Sequence, residues 1–325
     1  MLSDVKLQDL FGISNDGDFE KIALNIYEYQ KKHNPIYRNF IQEIGKIDIQ
    51  IKSINEIPFL PISFFKSHEV VPFKGESDAI FTSSGTGGIP SRHIVKDLKV
   101  YEESFRKGFH HFYGDPKEFH ILALLPSYLE REGSSLIYMT KDLIDTSQSE
   151  ISGFFLNDQE ELIKALYQAL DSDRKILLLG VSFALLDLAE SYDLNLSKVI
   201  VMETGGMKGK REEITRNELH AILKEKLKLT KIHSEYGMTE LLSQAYSKGN
   251  GIFECPPWMK VLFRDTYDPF DISKKSGGVN VIDLANIHSC SFIETSDLGR
   301  TKENGFEILG RLDNSDIRGC NLMIQ

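Results

Sequence analysis

The spacing of apolar residues along this chain changes from one region to the next. In residues 1–50, Phe19, Ile22, Ala23, Ile26 and Tyr27 recur at helical spacing behind Asp18. That spacing predicts an amphipathic helix with an Asp cap. Asn34-Pro35 stops it, because the residue before a proline avoids helical backbone. Ile36 to Ile41 begins a second helix. In the stretch from Ile57 to Lys66, two prolines rule out a central strand or a long helix, so it should lie extended against a core. Asp97 to Gly114 reads as a helix capped by Asp97.

An alternation follows. Phe119–Pro126, Lys175–Gly180, Lys198–Glu203 and Lys231–His233 are short apolar runs that read as buried strands. Between them Gln159–Leu170, Phe183–Tyr192 and Arg211–Leu229 read as helices. Continuous apolar strands alternating with helices predict a mostly parallel sheet flanked by helices. Ligands of such sheets sit beyond the carboxyl ends of the strands, where Thr204-Gly205-Gly206 and Glu235-Tyr236-Gly237 fall. From about Ile252 the pattern shortens to turn-separated strands at 259–263, 279–283, 291–295 and 305–309, which predict a small antiparallel subdomain. The expected organisation is a helical region over 1–50, an α/β core over 51–250 and a β-rich unit over 251–325.

Charge narrows the functions. A net charge of −10 argues against a nucleic-acid surface and against docking on anionic membranes. No apolar run approaches the roughly 20 residues that span a bilayer, and Met1–Lys6 has no signal core, so a cytoplasmic location is expected. Cys255, Cys290 and Cys320 are far apart and form no C-x-x-C, which fits free thiols better than a disulfide scaffold or a zinc site.

The candidate chemistry begins at Ser83-Ser84-Gly85-Thr86-Gly87-Gly88, between an apolar approach and the extended Arg92–Val95. Small residues let a backbone come close to an oxyanion and aim N–H groups at it, although the same composition suits a surface turn. Two phosphate-site patterns fail. The third glycine of G-x-G-x-x-G would be Pro90, and a Walker A match around Gly209-Lys210 would need glycine at Thr204 and Ser or Thr at Arg211. Gly180-Val181-Ser182-Phe183-Ala184 approximates a nucleophile elbow, so Ser182 is a helix cap or, alternatively, a hydrolase serine working with His288.

Three further segments join the loop in order. Ser234-Glu235-Tyr236-Gly237-Met238-Thr239-Glu240 follows one strand, and Glu294-Thr295-Ser296-Asp297-Leu298-Gly299-Arg300 follows another. Gly310-Arg311-Leu312-Asp313 comes near the end. The series resembles the adenylate-forming superfamily of acyl-CoA synthetases, luciferases and adenylation domains. Pro58–Lys66, Pro126–Leu136 and Arg318-Gly319-Cys320-Asn321-Leu322 resemble more narrowly the bacterial LuxE-type acyl-protein synthetases. That resemblance spans residue 55 to the C-terminus.

The resemblance implies the fold of the large N-terminal domain of those enzymes, without their mobile C-terminal domain of about 100 residues, since the sequence stops at Gln325. It implies ATP-dependent activation of a fatty or related carboxylic acid to acyl-AMP with Mg²⁺. Ser83, Ser84, Gly85, Thr86, Gly87 and Gly88 would cradle the phosphates. Arg92 would supply a cation where relatives carry Lys near Ser91. Gly205, Gly206, Glu235, Tyr236, Gly237 and Met238 would line the nucleotide site, with Tyr236 stacking on adenine. Thr239 would contact phosphate and carboxylate oxygens, Glu240 would hold Mg²⁺, Asp297 the ribose hydroxyls and Arg311 the ribose or phosphate. Cys320 would accept the acyl group as a thioester for an NADPH-dependent acyl reductase. The alternatives are an adenylating ligase serving CoA or a carrier protein, the Ser182 hydrolase, and a silent acyl-AMP-binding subunit.

Overall fold

The structure is a computed structural model that describes residues 7–312 except 73, 85–87, 126–132, 156–157, 208–209 and 273. Gly85, Thr86, Gly87 and Cys320 therefore lie outside the described residues, as do Asp313 and most of the 126–136 segment.

The predicted parallel sheet is present. Its strands run Gly153–Phe154, Phe119–Leu124, Lys175–Val181, Val199–Thr204, His233–Tyr236 and Ala245–Ser247, and only the last pair is antiparallel. Alternate side chains divide between two cores. Ile121, Leu177, Leu179 and Met202 enter one; Leu122, Ile176, Leu178 and Val201 enter the other. Both faces are thus covered, which is why these strands read as unbroken apolar runs. Each fully buried Leu or Phe contributes roughly 1.5–3 kcal/mol. Leu124 lies opposite Gly180, Val181 opposite Thr204, and Thr204 opposite Glu235, so the carboxyl ends of four strands form one row.

A second sheet orders Ile252–Phe253, Gly305–Arg311, Phe292–Lys302, Ser276–Asp283 and Met259–Arg264, all antiparallel. Leu60–Pro61 adds to it in parallel beside Ile293 and Glu294. The Pro-punctuated segment is extended there, as expected, but then turns into a short helix over Phe64–Ser67. A two-stranded hairpin, Ala79–Thr82 with Arg92–Val95, stands apart from both sheets and carries the Ser/Gly loop between its strands.

The N-terminal helices belong to the same core as the antiparallel sheet. Helix Asp16–His33 is capped by Asn15, whose side chain accepts from the Asp18 amide, so the cap is Asn rather than Asp. Asn34 caps the following helix, Pro35–Glu43, by accepting from Ile36 and Tyr37. Tyr27 and Tyr37 both pack on Phe292, with ring centroids 6.2 and 6.1 Å away.

Several elements differ from the sequence expectation. The helix expected over 211–229 spans Arg216–Lys226, because Thr215 and Glu218 close a reciprocal capping box. Arg211 lies ahead of that helix and ties Asp187 and Glu190 together. Helix Leu98–Tyr113 keeps its predicted Asp97 cap and Gly114 terminus. Helix Ser135–Ser147 was not expected. Strand Phe292–Lys302 runs well past residue 295, so Asp297 sits within a strand rather than in the turn after one. Pairing with Gly305–Arg311 extends it, through a register shift at Leu298/Gly299.

Candidate active site

The turn leaving strand His233–Tyr236 is the centre of the site. Glu235 is buried and accepts a hydrogen bond from the Thr204 hydroxyl on the neighbouring strand. Burial, reinforced by the nearby Glu203 carboxylate, pushes its pKa up to about 7. Its carboxyl fills the space beneath the turn: a Cβ on Gly237 would lie 2.3 Å from Glu235 Oε1, so any larger residue would have to displace that carboxyl. Met238 and Thr239 are half-buried, and the Leu241 amide closes the turn on the Met238 carbonyl at 3.1 Å. Beyond it, the Asp283 carboxylate accepts from the amides of Leu242 (2.7 Å) and Ser243 (3.0 Å).

The hairpin docks against this turn. At its mouth the Ser83 amide donates to the Ser91 carbonyl (3.1 Å), and the Ser91 amide donates to the Ser83 hydroxyl (2.9 Å). Ser91 also lies beside the Glu240 carboxyl, where it favours the charged form. Glu240 is 5% exposed and its pKa is raised by burial, with Ser91, Arg311 and Lys66 pulling the other way. Next along the strand, His93 places Nδ1 2.8 Å from the Thr239 carbonyl oxygen and Nε2 2.9 Å from Asn286 Oδ1. Asn286 Nδ2 donates to the Glu240 carbonyl at 2.7 Å. Burial pushes the His93 pKa down to about 4, and a neutral imidazole has one N–H to offer the two oxygens it faces.

The other half of the site joins the two sheets. The Tyr236 hydroxyl donates to Asp297 Oδ2 at 2.7 Å. Burial raises the Asp297 pKa, opposed first by the Tyr236 hydrogen bond and then by the charges of Arg311, Arg216 and Arg264. The Thr295 hydroxyl steadies this strand by donating to the Val279 carbonyl and accepting from the Asp297 amide. Arg311, opposite Asp297 in the ladder, has Nε 3.6 Å from Asp297 Oδ1 and is otherwise exposed. Tyr236 itself is 8% exposed and packs against Phe253 and Phe306. Little of its ring is open for the adenine stacking the resemblance implies; what it offers the site is its hydroxyl.

The remaining candidates are placed as follows. Gly205 has φ +68°, a left-handed conformation that favours glycine, and its carbonyl accepts from the Ser182 hydroxyl at 3.0 Å. A Cβ on Gly206 would meet Glu213 Oε2 at 3.9 Å and nothing nearer, so its bareness leaves open space beside the turn. Ser84 and Gly88 are exposed on the hairpin loop. Arg92 is half-exposed at the loop end of the hairpin, 3.9 Å from Glu69.

The hydrolase alternative does not survive. Ser182 is buried, is the first residue of helix Ser182–Ser191 without a capping hydrogen bond from its side chain, and is committed to Gly205. His288 lines a small cavity with His93, Val95 and Ser289 on the hairpin side.

Of the two cysteines described, Cys290 is fully buried and Cys255 partly so, and burial pushes both thiols up to about 12. Neither is a usable thiolate near neutral pH. Among the described residues, no group of three or more His, Cys, Asp or Glu could hold a metal ion by itself. No helix among them is long and apolar enough to cross a membrane.

Sequence reasoning missed His93 and Asn286. The polar residue inside Arg92-His93-Ile94-Val95 was a visible signal, since a buried strand position is normally apolar. Asn286 carries no local signal.

The fold has known counterparts. The chain is similar to a 2-hydroxyisobutyryl-CoA ligase in the postadenylation state, with TM-score 0.69 at 14% identity, covering 92% of this chain and 68% of that one. It is also similar to a fatty acid AMP ligase from Legionella pneumophila, with TM-score 0.50 at 13% identity, covering 77% of this chain and 51% of that one. These likenesses establish the α/β fold of the adenylate-forming enzymes. Among curated proteins none matches. A family model described as acyl-protein synthetase, LuxE, matches residues 12–325, and with that span the chain belongs to the LuxE family of acyl-protein synthetases, a family of AMP-forming ligases.

Proposed function

We propose that this protein joins a fatty or related carboxylic acid to AMP at the expense of ATP, then takes the acyl group onto Cys320 as a thioester for an acyl reductase. The observation that carries the first step is the convergence of the hairpin, the Thr239–Glu240 turn and the Tyr236–Asp297–Arg311 cluster on the carboxyl edge of the parallel sheet.

A carboxylate oxygen of the acid attacks the α-phosphorus of ATP, and the bond to pyrophosphate breaks. Negative charge grows on the phosphates and must be met by fixed donors and cations. Ser83 to Gly88 would supply N–H groups and hydroxyls, and Arg92, exposed and weakly paired, is free to turn toward the loop. Thr239 would donate to the phosphate and carboxylate oxygens. Asp297, with Oδ2 held by Tyr236, would turn Oδ1, now paired at 3.6 Å with the exposed Arg311, to the ribose hydroxyls. The single buried carboxyl of Glu240 suits Mg²⁺, which takes one or two protein carboxylates and fills its shell with phosphate and water oxygens. When bound, that ion would neutralise phosphate charge.

In the second step the Cys320 thiolate attacks the acyl carbon, the carbon–oxygen bond to AMP breaks, and AMP leaves with both electrons. The thiol proton goes to solvent. Supporting Cys320 is the condition of the other two cysteines, whose buried thiols are held protonated. Intact-mass spectrometry after incubation with ATP, Mg²⁺ and a fatty acid tests this. The expected result is one acyl mass, removed by hydroxylamine and absent from Cys320→Ser. An acyl mass that survives in Cys320→Ser would reassign the acceptor.

A further inference from the structure

Of the residues around the turn, His93 and Asn286 have no role in the chemistry above, yet they hold its two central carbonyls. We propose that they are positioning residues, which fix the Thr239–Glu240 peptide against the hairpin so that both side chains meet the nucleotide in a working orientation. The inference rests on the adenylation reading.

The two side chains act on consecutive carbonyls. His93 Nδ1 lies 2.8 Å from that of Thr239, Asn286 donates to that of Glu240 at 2.7 Å, and His93 Nε2 lies 2.9 Å from Asn286 Oδ1, so the one N–H of the neutral ring serves either the Thr239 carbonyl or Asn286. With both carbonyls fixed, little freedom remains in the backbone that aims the Thr239 hydroxyl and the Glu240 carboxyl. His93 is 1% exposed and Phe65 meets its ring edge-on at 5.7 Å, so the ring cannot swing away. Ser91, just ahead of the strand, lies beside the Glu240 carboxyl. The segment Ser91–His93 therefore carries the loop's exit and faces both the turn's backbone and the Glu240 carboxyl.

Asn286 is held in turn by the N-terminal helix. Gln30 is fully buried; its Nε2 donates to the carbonyls of Asn286 (3.1 Å) and Ile287 (3.0 Å), and its Oε1 accepts from the Ser291 amide at 3.0 Å. Asn34 Nδ2 donates to the Ser289 carbonyl at 3.0 Å. Residues 1–50, which show no motif, thereby acquire a purpose: helix Asp16–His33 backs the segment that positions the turn. A buried histidine that merely satisfied its own polar atoms could bond any carbonyl. This one and Asn286 face the two consecutive carbonyls of the motif turn.

The test is carboxylate-dependent ATP–pyrophosphate exchange by the full chain, with ATP affinity measured separately by calorimetry. His93→Ala and Asn286→Ala should each lower kcat by about 10²-fold, the loss expected when reacting groups are displaced by about 1 Å. KM and Kd for ATP should change less than about threefold, as expected when only the transition-state contact is lost. The double variant should lose little more than the worse single one, because the two act as a unit. His93→Gln, which keeps one donor, should recover part of kcat, and it carries the test with Asn286→Ser if the alanine variants do not fold. His120→Ala serves as a control: His120 is buried between Ser149 and Ser172 at the other end of its strand, so its loss should lower thermal stability and leave kcat unchanged. Normal kcat in the folded His93 and Asn286 variants would overturn this inference alone. No exchange by the wild-type chain with any acid would overturn the adenylation reading, and this inference with it.

Discussion

The proposed phosphate end and the proposed ribose end of the site are built by opposite means. At the proposed phosphate end, His93 and Asn286 face the carbonyls of Thr239 and Glu240 at 2.8 and 2.7 Å, and Ser91 lies beside the buried Glu240 carboxyl. At the ribose end, Asp297 is gripped on one oxygen by Tyr236, while the guanidinium beside it, Arg311, projects into solvent. The first arrangement fixes geometry before substrate arrives. The second leaves a carboxylate oxygen and a cation paired only with each other, through a contact at the edge of solvent. Substitutions should therefore cost turnover at one end and nucleotide affinity at the other.

The largest break is expected at Glu240. Glu240→Gln keeps the shape but removes the charge, and should lower the exchange rate by about 10²–10³-fold, the usual loss for a group that meets developing charge. Stopped-time exchange at saturating ATP measures it. At the other end, Asp297→Asn should raise KM for ATP about tenfold, equivalent to about 1.4 kcal/mol of lost binding, with kcat within about threefold. If both variants moved kcat and KM alike, the contrast between the ends would be false. Arg92→Ala should be milder still. Its guanidinium is exposed and weakly paired, so a loss of about tenfold in kcat/KM is expected if it swings to the phosphates.

Glu235 sharpens the contrast from the side of stability. Its folded pKa, about 7, lies above the ordinary 4.5. The folded state therefore holds the proton more tightly than the unfolded one. The resulting stabilisation is complete below about pH 4.5, fades as pH rises, and is gone above about pH 7. Glu235→Gln removes this dependence. Relative to wild type the variant should gain roughly 2–3 kcal/mol on moving from pH 4.5 to pH 8, read by chemical denaturation at both values. An equal difference at the two pH values would mean that Glu235 titrates alike in the folded and unfolded states.

The parts of this molecule that sequence patterns reveal are those whose cause is local. Ile176 to Leu179 read as a buried strand because both sheet faces are covered. The Asp97 cap and Gly114 terminus announced helix Leu98–Tyr113. Thr215-Arg216-Asn217-Glu218 is itself a capping-box pattern and could have set the start of its helix correctly. Hidden features depend on distant partners. The length of Phe292–Lys302, and so the place of Asp297 within a strand, comes from its pairing with Gly305–Arg311. Gln30 meets Asn286 and Ser291 across more than 250 residues, and His93 meets Thr239 across 146, so neither contact leaves a local trace. The motif residues were legible one at a time; the polar frame that holds them was not.

The central claim is that this cleft makes acyl-AMP. Its most direct test is ATP–pyrophosphate exchange by the wild-type chain with Mg²⁺ across a panel of carboxylic acids of increasing chain length. The account predicts exchange that appears only when acid is added and persists in Cys320→Ser, since adenylation precedes transfer to the thiol. Exchange absent with every acid, or lost on removing the Cys320 thiol, would contradict it.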